Sequence, residues 1–448
     1  MKSLVTTGKV LCGTFLTFLM TTSLQANTIV VPVGGDIQAA IDAVSVGGTV
    51  KIEEGTFPLT QQLVINKNLT LVGAGIDMTI IQSPDTVDLT STFNYTGASA
   101  RTFTPVVMVQ DASAVAIKHL TVDGRDQSVF GTVQHFTGIG YHNASGEVSQ
   151  VHVLNILEST EPTGYQEGTA ILAANDTGTN TVSVLGTVTD HFQKQGILMI
   201  GTGLTVTCKN NTVMGTNVEA NPNGIELFDG STGVISNNIV TNLTNPSSQE
   251  CSGILIFDAP GVKVENNQVM VNDTGIYLNN CSNSIVNYNN VQNNTVGIEI
   301  DETSSTAVNS YTITGNTMQN DPGMSSTFGL VLTSPQSTDL VSPLVTTHSN
   351  TIDNPGVGLY VQGSPDGSAG PQVSMHGDVF LGSSQYYVQL VSSPVDIWPT
   401  TKSVSFNGLR WSNMTREQFE ELVLDPATQQ IIDKNTNPSL GLVLTSRT

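Results

Sequence analysis

Charge is what this chain has least of, and positive charge least of all. Charged residues make up 12% of the 448, with 15 Lys and Arg against 37 Asp and Glu, for a formal net charge of −22. A chain so poor in cations lacks the basic footprint that nucleic acid or an anionic lipid surface requires. It has no unaided grip on a polyanion either; a polyuronate would call for a local basic patch or a bridging metal ion. Stretches with the Ala/Leu/Glu/Lys content of long helices are few. No long apolar run follows the N-terminus, so no membrane anchor is visible and no stable membrane insertion is expected. Cysteine is scarce, with 4 in all. Beyond Cys12 these are Cys208, Cys251 and Cys281, an odd count that leaves at least one thiol unpaired if the others bond. The pattern assigns no pair, and three small residues packed in a β core are expected rather than a catalytic thiol.

What is abundant points the other way. Glycine numbers 42, and Asn, Thr, Ser and Val are plentiful, so turn formers alternate with strand formers. An all-β chain is expected. The first residues, "MKSLVTTGKVLCGTFLTFLMTTSLQA", place Lys2 and Lys9 before an apolar core too short to span a bilayer, the pattern of a signal peptide. Cleavage is expected after Ala26, with Ser23 as the alternative, giving a secreted or cell-surface protein.

A repeat then organises the chain. Gly followed by an aliphatic residue recurs at Gly138, Gly196, Gly224, Gly253, Gly275, Gly297, Gly329 and Gly358, with a looser "GTAI" at Gly168. The steps from Gly253 to Gly275 and from Gly275 to Gly297 are both 22 residues, and others run from 28 to 32. A second marker runs in phase: Asn211, Asn238, Asn267, Asn289, Asn316 and Asn350 each stand two before an apolar residue. One short coil cannot bury its alternating apolar row alone, but stacked coils can, each strand bonding to the coils on either side. The asparagines suit sharp corners, and their amides can bond from coil to coil as a ladder.

Near the N-terminus, "DIQAAIDAVSVGGTVKIEEGTFPLTQQLVINKNLTLVGAG" (residues 36 to 75) completes a resemblance. The chain resembles the right-handed parallel β-helix proteins of the pectin-lyase-like superfamily over roughly residues 30 to 395. The resemblance implies a single-stranded solenoid closed by a short N-terminal helix, here with Asp36 as N-cap and Ile37, Ala40 and Ile41 on its apolar face. The expected organisation is signal peptide 1–26, β-helix 27–395 with the cap and first coils at 27–75, and a capping segment 396–448. In that last segment Thr415 to Gln418 matches a capping box. A helix is expected over 415–424 and a second over 427–433.

In enzymes of this superfamily, outward side chains of neighbouring coils make a groove for a polysaccharide. Counting two after each repeat glycine gives an outward column of Leu198, Glu226, Leu255, Tyr277, Glu299, Val331 and Tyr360. Counting five gives Gly201, Asp229, Asp258, Asn280 and Glu302. Asp229 and Asp258 are expected about one coil apart, near 5 Å. They fit three roles: turn residues, ligands of a shared Ca²⁺, or a hydrolytic carboxyl pair. Glu226 is a third carboxylate in either of the last two. Asp190, His191 and Lys194 cluster just before one strand. They suit either a solvated loop or the base of a lyase acting on uronates. "VDGRDQ", with Asp123, Arg125 and Asp126, reads as a turn. Tyr277 and Tyr360 could stack on sugar rings or lie under loops.

The catalytic signatures of the superfamily's polygalacturonases, alginate epimerases and pectate lyases are missing, so no residue carries over by motif. The expectation is a carbohydrate-active or carbohydrate-binding β-helix, as a polysaccharide lyase or glycoside hydrolase. Its catalytic candidates are Asp190, His191, Lys194, Glu226, Asp229 and Asp258, and its ligand a glycan. The alternative is a non-catalytic surface or adhesion protein. Only convergence of the six candidates in one groove would support a single site.

Overall fold

The computed structural model describes residues 27–85, 88–98, 100–126, 135–157, 167–216, 222–245, 251–302, 309–322, 324, 326–333, 342–363, 370–383, 386–391, 404–406, 409–410, 431–432 and 444–445. The expected signal peptide and the 415–424 helix lie outside them. Within the expected 427–433 helix, Ile431–Ile432 instead form a short strand paired antiparallel with Leu444–Thr445. Parallel pairing passes the expected boundary at 395 and reaches Ser405, which stands against Val379.

Each coil contributes one strand to a front sheet, whose 13 strands also include the hairpin strand Phe93–Tyr95, and, in most coils, two strands to the back faces. The coil from Thr274 shows the plan: Thr274–Asn279 in front, then Ser284–Asn287 and Asn290–Gln292 behind. Register is kept from coil to coil, with Ile254 against Ile276 and Ile276 against Ile298. These inward isoleucines are fully buried. Each such side chain contributes roughly 1.5–3 kcal/mol of burial, so the stack gains what a lone coil cannot. The repeat glycines mark the closest approach between coils. A Cβ on Gly275 would stand 2.6 Å from the Gly297 carbonyl oxygen, and one on Gly253 would stand 2.7 Å from the Gly275 carbonyl oxygen.

The N-terminal end is closed as expected. Helix Ile37–Ala43 begins at Asp36, whose side chain accepts from the Ala39 N–H, and Ile37, Ala40 and Ile41 are buried. Between the two back faces the marker asparagines stack. Asn211, Asn238, Asn267, Asn289 and Asn316 each donate from Nδ2 to the next asparagine's Oδ1 at 2.9–3.0 Å. The stack ends on Asp378, whose Oδ1 accepts from the Asn350 N–H and Nδ2 at 2.9 and 2.8 Å. Cys208, Cys251 and Cys281 are all buried thiols, none of them in a disulfide. Burial pushes Cys208 up to about 12, so it is an inert packing residue.

Candidate functional site

The outward side of the front sheet divides into two halves. In the first, an excursion of the chain folds over the strands as a roof. Its hairpin pairs Phe93–Tyr95 with the start of strand Arg101–Gln110. Phe93, Tyr95 and Phe103 pack on Met108, Leu172, Ala174, Leu198 and Ile200, all of them buried. Outward positions of three front strands therefore form a second core.

Two aspartates at coil corners hold the roof down. Asp229 Oδ2 accepts from the Tyr95 hydroxyl at 2.5 Å and from the Ala98 N–H at 2.7 Å. Asp176 Oδ1 accepts from the Thr96 N–H and hydroxyl at 2.6 and 2.7 Å, and its Oδ2 meets His142 Nε2 at 2.7 Å. Burial works against the Asp176 charge, but the His142 and Thr96 bonds outweigh it and leave its pKa below the usual carboxylate range. His142 also stacks on Phe93, ring centroids 4.5 Å apart. A cleft of about 480 Å³ beside the hairpin is lined by Tyr95, Arg101, His135 and Glu167.

Asp229 and Asp258 do occupy the same corner of neighbouring coils, as the repeat requires. Their φ angles of 51° and 49°, with 54° at Asn280, lie in the left-handed region that Asp and Asn tolerate. The corner role explains why these residue types recur. Glu302, the last member of that column, breaks the pattern by turning inward. It is fully buried, accepts from both Asn309 Nδ2 and the Tyr311 hydroxyl, and its pKa is raised by burial. A shared Ca²⁺ at Asp229 and Asp258 finds little room. Asp229 Oδ2 is already taken by two donors, and among the described residues no three His, Cys, Asp or Glu side chains converge as a metal site would require.

Lys194, just before strand Gln195–Ile200, and Glu226, within strand Asn223–Phe228, attract each other's charge. They are only 7% and 6% exposed, so Lys194 is not the solvated loop lysine that its type suggests. Burial lowers the Lys194 pKa, opposed by the attraction of Glu226. Asn223 Nδ2 and Gln195 Nε2 donate to Glu226 Oε2 at 3.0 and 3.3 Å.

Asp190 and His191 belong to a back face. Asp190 links His191 Nδ1 at 2.9 Å to His152 Nε2 at 3.0 Å, and Asp77 stands 3.5 Å from the other His152 nitrogen. The six candidates thus fall into three groups: Asp190 with His191, Lys194 with Glu226, and Asp229 with Asp258. Asp190 and His191, at a back face, stand apart from the other four, so the six do not converge in one groove.

Past the roof, the outward residues of the second half of the same sheet are mostly half-buried. The outward column counted from the glycines is in register, with Leu255 against Tyr277, Tyr277 against Glu299, and Val331 against Tyr360. Beside it runs a second column that a count of four from each glycine would have found: Phe257, Asn279, Asp301, Thr333 and Gln362. Asp301 Oδ2 accepts from the Tyr277 hydroxyl at 3.2 Å and Asn279 Nδ2 at 3.4 Å, and the Thr333 hydroxyl donates to Oδ1. Tyr277, Glu299, Asp301 and Tyr360 are half-buried. Phe328 meets Tyr360 edge to face, centroids 5.5 Å apart.

Residues 170–339 match the family model described as "Right handed beta helix region". The fold is that of a right-handed parallel β-helix. No curated protein matches this β-helix significantly in sequence. Among solved structures it is similar to the catalytic domain of a GH87 alpha-1,3-glucanase, at 13% identity over 86% of this chain and 68% of that one, TM-score 0.54. It is also similar to the A-module of the Azotobacter vinelandii mannuronan C-5 epimerase AlgE6, at 15% identity over 77% and 94%, TM-score 0.45. The periplasmic alginate epimerase AlgG gives 13% identity over 81% and 76%, TM-score 0.49. At such identities the likeness concerns the fold.

Proposed function

We propose that this β-helix binds an extended glycan along the second half of its front sheet. The observation that carries the reading is the stacked outward strip of Tyr277, Glu299, Asp301 and Tyr360. Aromatic faces pack on the faces of sugar rings, and carboxylates and amides take up hydroxyl hydrogen bonds. The spacing of about 4.8 Å between coils repeats these groups along the stack, as a repeating polymer needs. The fold shared with an alpha-1,3-glucanase catalytic domain is compatible with it. Export, from the Lys2/Lys9 and apolar pattern at the N-terminus, would place the strip where such polymers are found. A lyase with Lys194 as base has weaker support, because Lys194 and Glu226 are buried and offset each other's charge.

Affinity electrophoresis in gels carrying different soluble polysaccharides tests the reading. Retardation by at least one glycan is expected, and the double substitution Tyr277→Ala/Tyr360→Ala should abolish it while leaving the unfolding midpoint nearly unchanged. Migration unaffected by every glycan, or retardation that survives the double substitution, would remove this reading.

A further inference from the structure

We infer that the cleft beside the roof hairpin is a second ligand site, where Arg101 takes the carboxylate of a small hydroxylated acid. This site is independent of the glycan strip, because the cleft adjoins the roofed half of the front sheet. Its volume of about 480 Å³ lies within the usual range of small-molecule sites. One wall is the hairpin, which supplies Asn94, Tyr95, Arg101 and Thr102. The other is His135 and Glu167, which lead into the front strands Phe136–His142 and Thr169–Ala174.

Arg101 stands out for its missing counter-charge. Among the described residues it makes no ion pair and no hydrogen bond, although it is half-buried in a chain with 37 acidic residues against 15 basic. A second cation feels it: burial lowers the Lys194 pKa, and the Arg101 charge lowers it further. The carboxylates around the hairpin are already engaged. Asp229 Oδ2 accepts from the Tyr95 hydroxyl and the Ala98 N–H, and Glu167 Oε2 accepts from the His135 N–H at 2.7 Å. Burial raises the Glu167 pKa against that bond, so its charge is disfavoured in the cleft. His135 is fixed in turn, its ring centroid 5.2 Å from that of Phe103 and its carbonyl accepting from the Thr104 N–H at 3.2 Å.

The donor set defines the ligand. A guanidinium presents paired N–H groups that match the two oxygens of a carboxylate. One such cation beside Glu167 suits a monoanion and disfavours a phosphate dianion. Asn94 Oδ1 accepts from the Thr102 hydroxyl at 2.7 Å, which leaves Asn94 Nδ2 and the Thr102 lone pairs for ligand hydroxyls. A sugar acid and an open-chain hydroxy acid share this chemistry, with a carboxylate at one end and hydroxyls along the rest.

Saturation-transfer NMR and calorimetry on the full chain test the site, with galacturonate, gluconate, galactose and inorganic phosphate as probes. Galacturonate or gluconate should bind, with galactose and phosphate about tenfold weaker or more. Tighter binding of galacturonate would identify a ring acid and tighter binding of gluconate an open-chain one, and either supports the site. Arg101→Met should raise the Kd of the acid roughly 10–100-fold. Arg101→Lys should restore part of that loss, with the unfolding midpoint retained in both variants. Lys263→Met, which removes an exposed cation from a back face, should leave the Kd unchanged. Failure of both acids to bind, galactose or phosphate binding as tightly as the acids, or acid affinity that survives Arg101→Met would overturn the site. Glycan retardation in affinity gels is read separately, so either reading can fail while the other stands.

Discussion

The two halves of the front sheet share parallel register and buried apolar inward rows, and differ most in what faces out. Over the first half, Met108, Leu172, Leu198 and Ile200 lie beneath a hairpin and are as buried as the interior. Over the second half, the equivalent positions hold Tyr277, Glu299, Asp301 and Thr333. The solenoid constrains its inward columns, because those must interlock from coil to coil. Its outward columns are free to become a second core or a binding strip, and one excursion of the chain decides which.

Substitutions can break that contrast. The largest effect is expected from Phe103→Ala, which empties the roofed core. Loss of about 3–5 kcal/mol should show as a lower urea midpoint, while the same truncation at Tyr360 leaves the midpoint nearly fixed. Asp229→Ala should come next. It strands the Tyr95 hydroxyl and the Ala98 N–H, at a cost of about 1–3 kcal/mol, and should speed hydrogen exchange at Ala98 without touching the second half. Tyr360→Ala alone should weaken glycan binding by about 1 kcal/mol, roughly fivefold in Kd; an equal loss from a roof substitution would erase the distinction.

The smallest effect belongs to the back face and serves as a control. The bond to Asp190 raises the His152 pKa, against the opposing effect of burial. Its contribution to stability is therefore complete below the unfolded histidine value, about 6.5, and is lost as pH rises through the folded one. Burial disfavours the Asp190 charge, but the two histidines outweigh it and lower its pKa, so that contribution is lost as pH falls through the acidic range. Urea midpoints should decline from pH 6 to pH 8 in the native chain. The decline should flatten in His152→Asn, with glycan binding unchanged.

Much of the fold was legible because its signals repeat. The Gly275–Gly297 spacing and the asparagine phase each recur, so register followed from counting, and the outward Tyr277 and Tyr360 column is where counting put it. The site was less legible because its determinants do not repeat. The Tyr95–Asp229 contact joins residues 134 apart in sequence, and nothing in the local pattern marks Tyr95 or Asp176 as latches. Lys194 read as a surface lysine, since residue type carries no information about what covers it. Asp190 and His191 stood near Lys194 in sequence, yet a left-handed turn at His191, φ 46°, sends the chain around a corner before the strand begins. Asp301 was overlooked by a count of five where alternation calls for four.

The aspartate at the end of the asparagine stack bears on how such a molecule can grow. Each asparagine both accepts from one coil and donates to the next, so a coil copied from the middle of the stack can join at either side. Asp378 accepts but has no side-chain N–H to pass onward, and it is 1% exposed. A duplicated coil carrying it would leave a buried carboxylate with no donor toward its successor. Lengthening by tandem duplication is thus open to the coils before residue 378 and closed at that coil, which gives the solenoid a chemically encoded last rung.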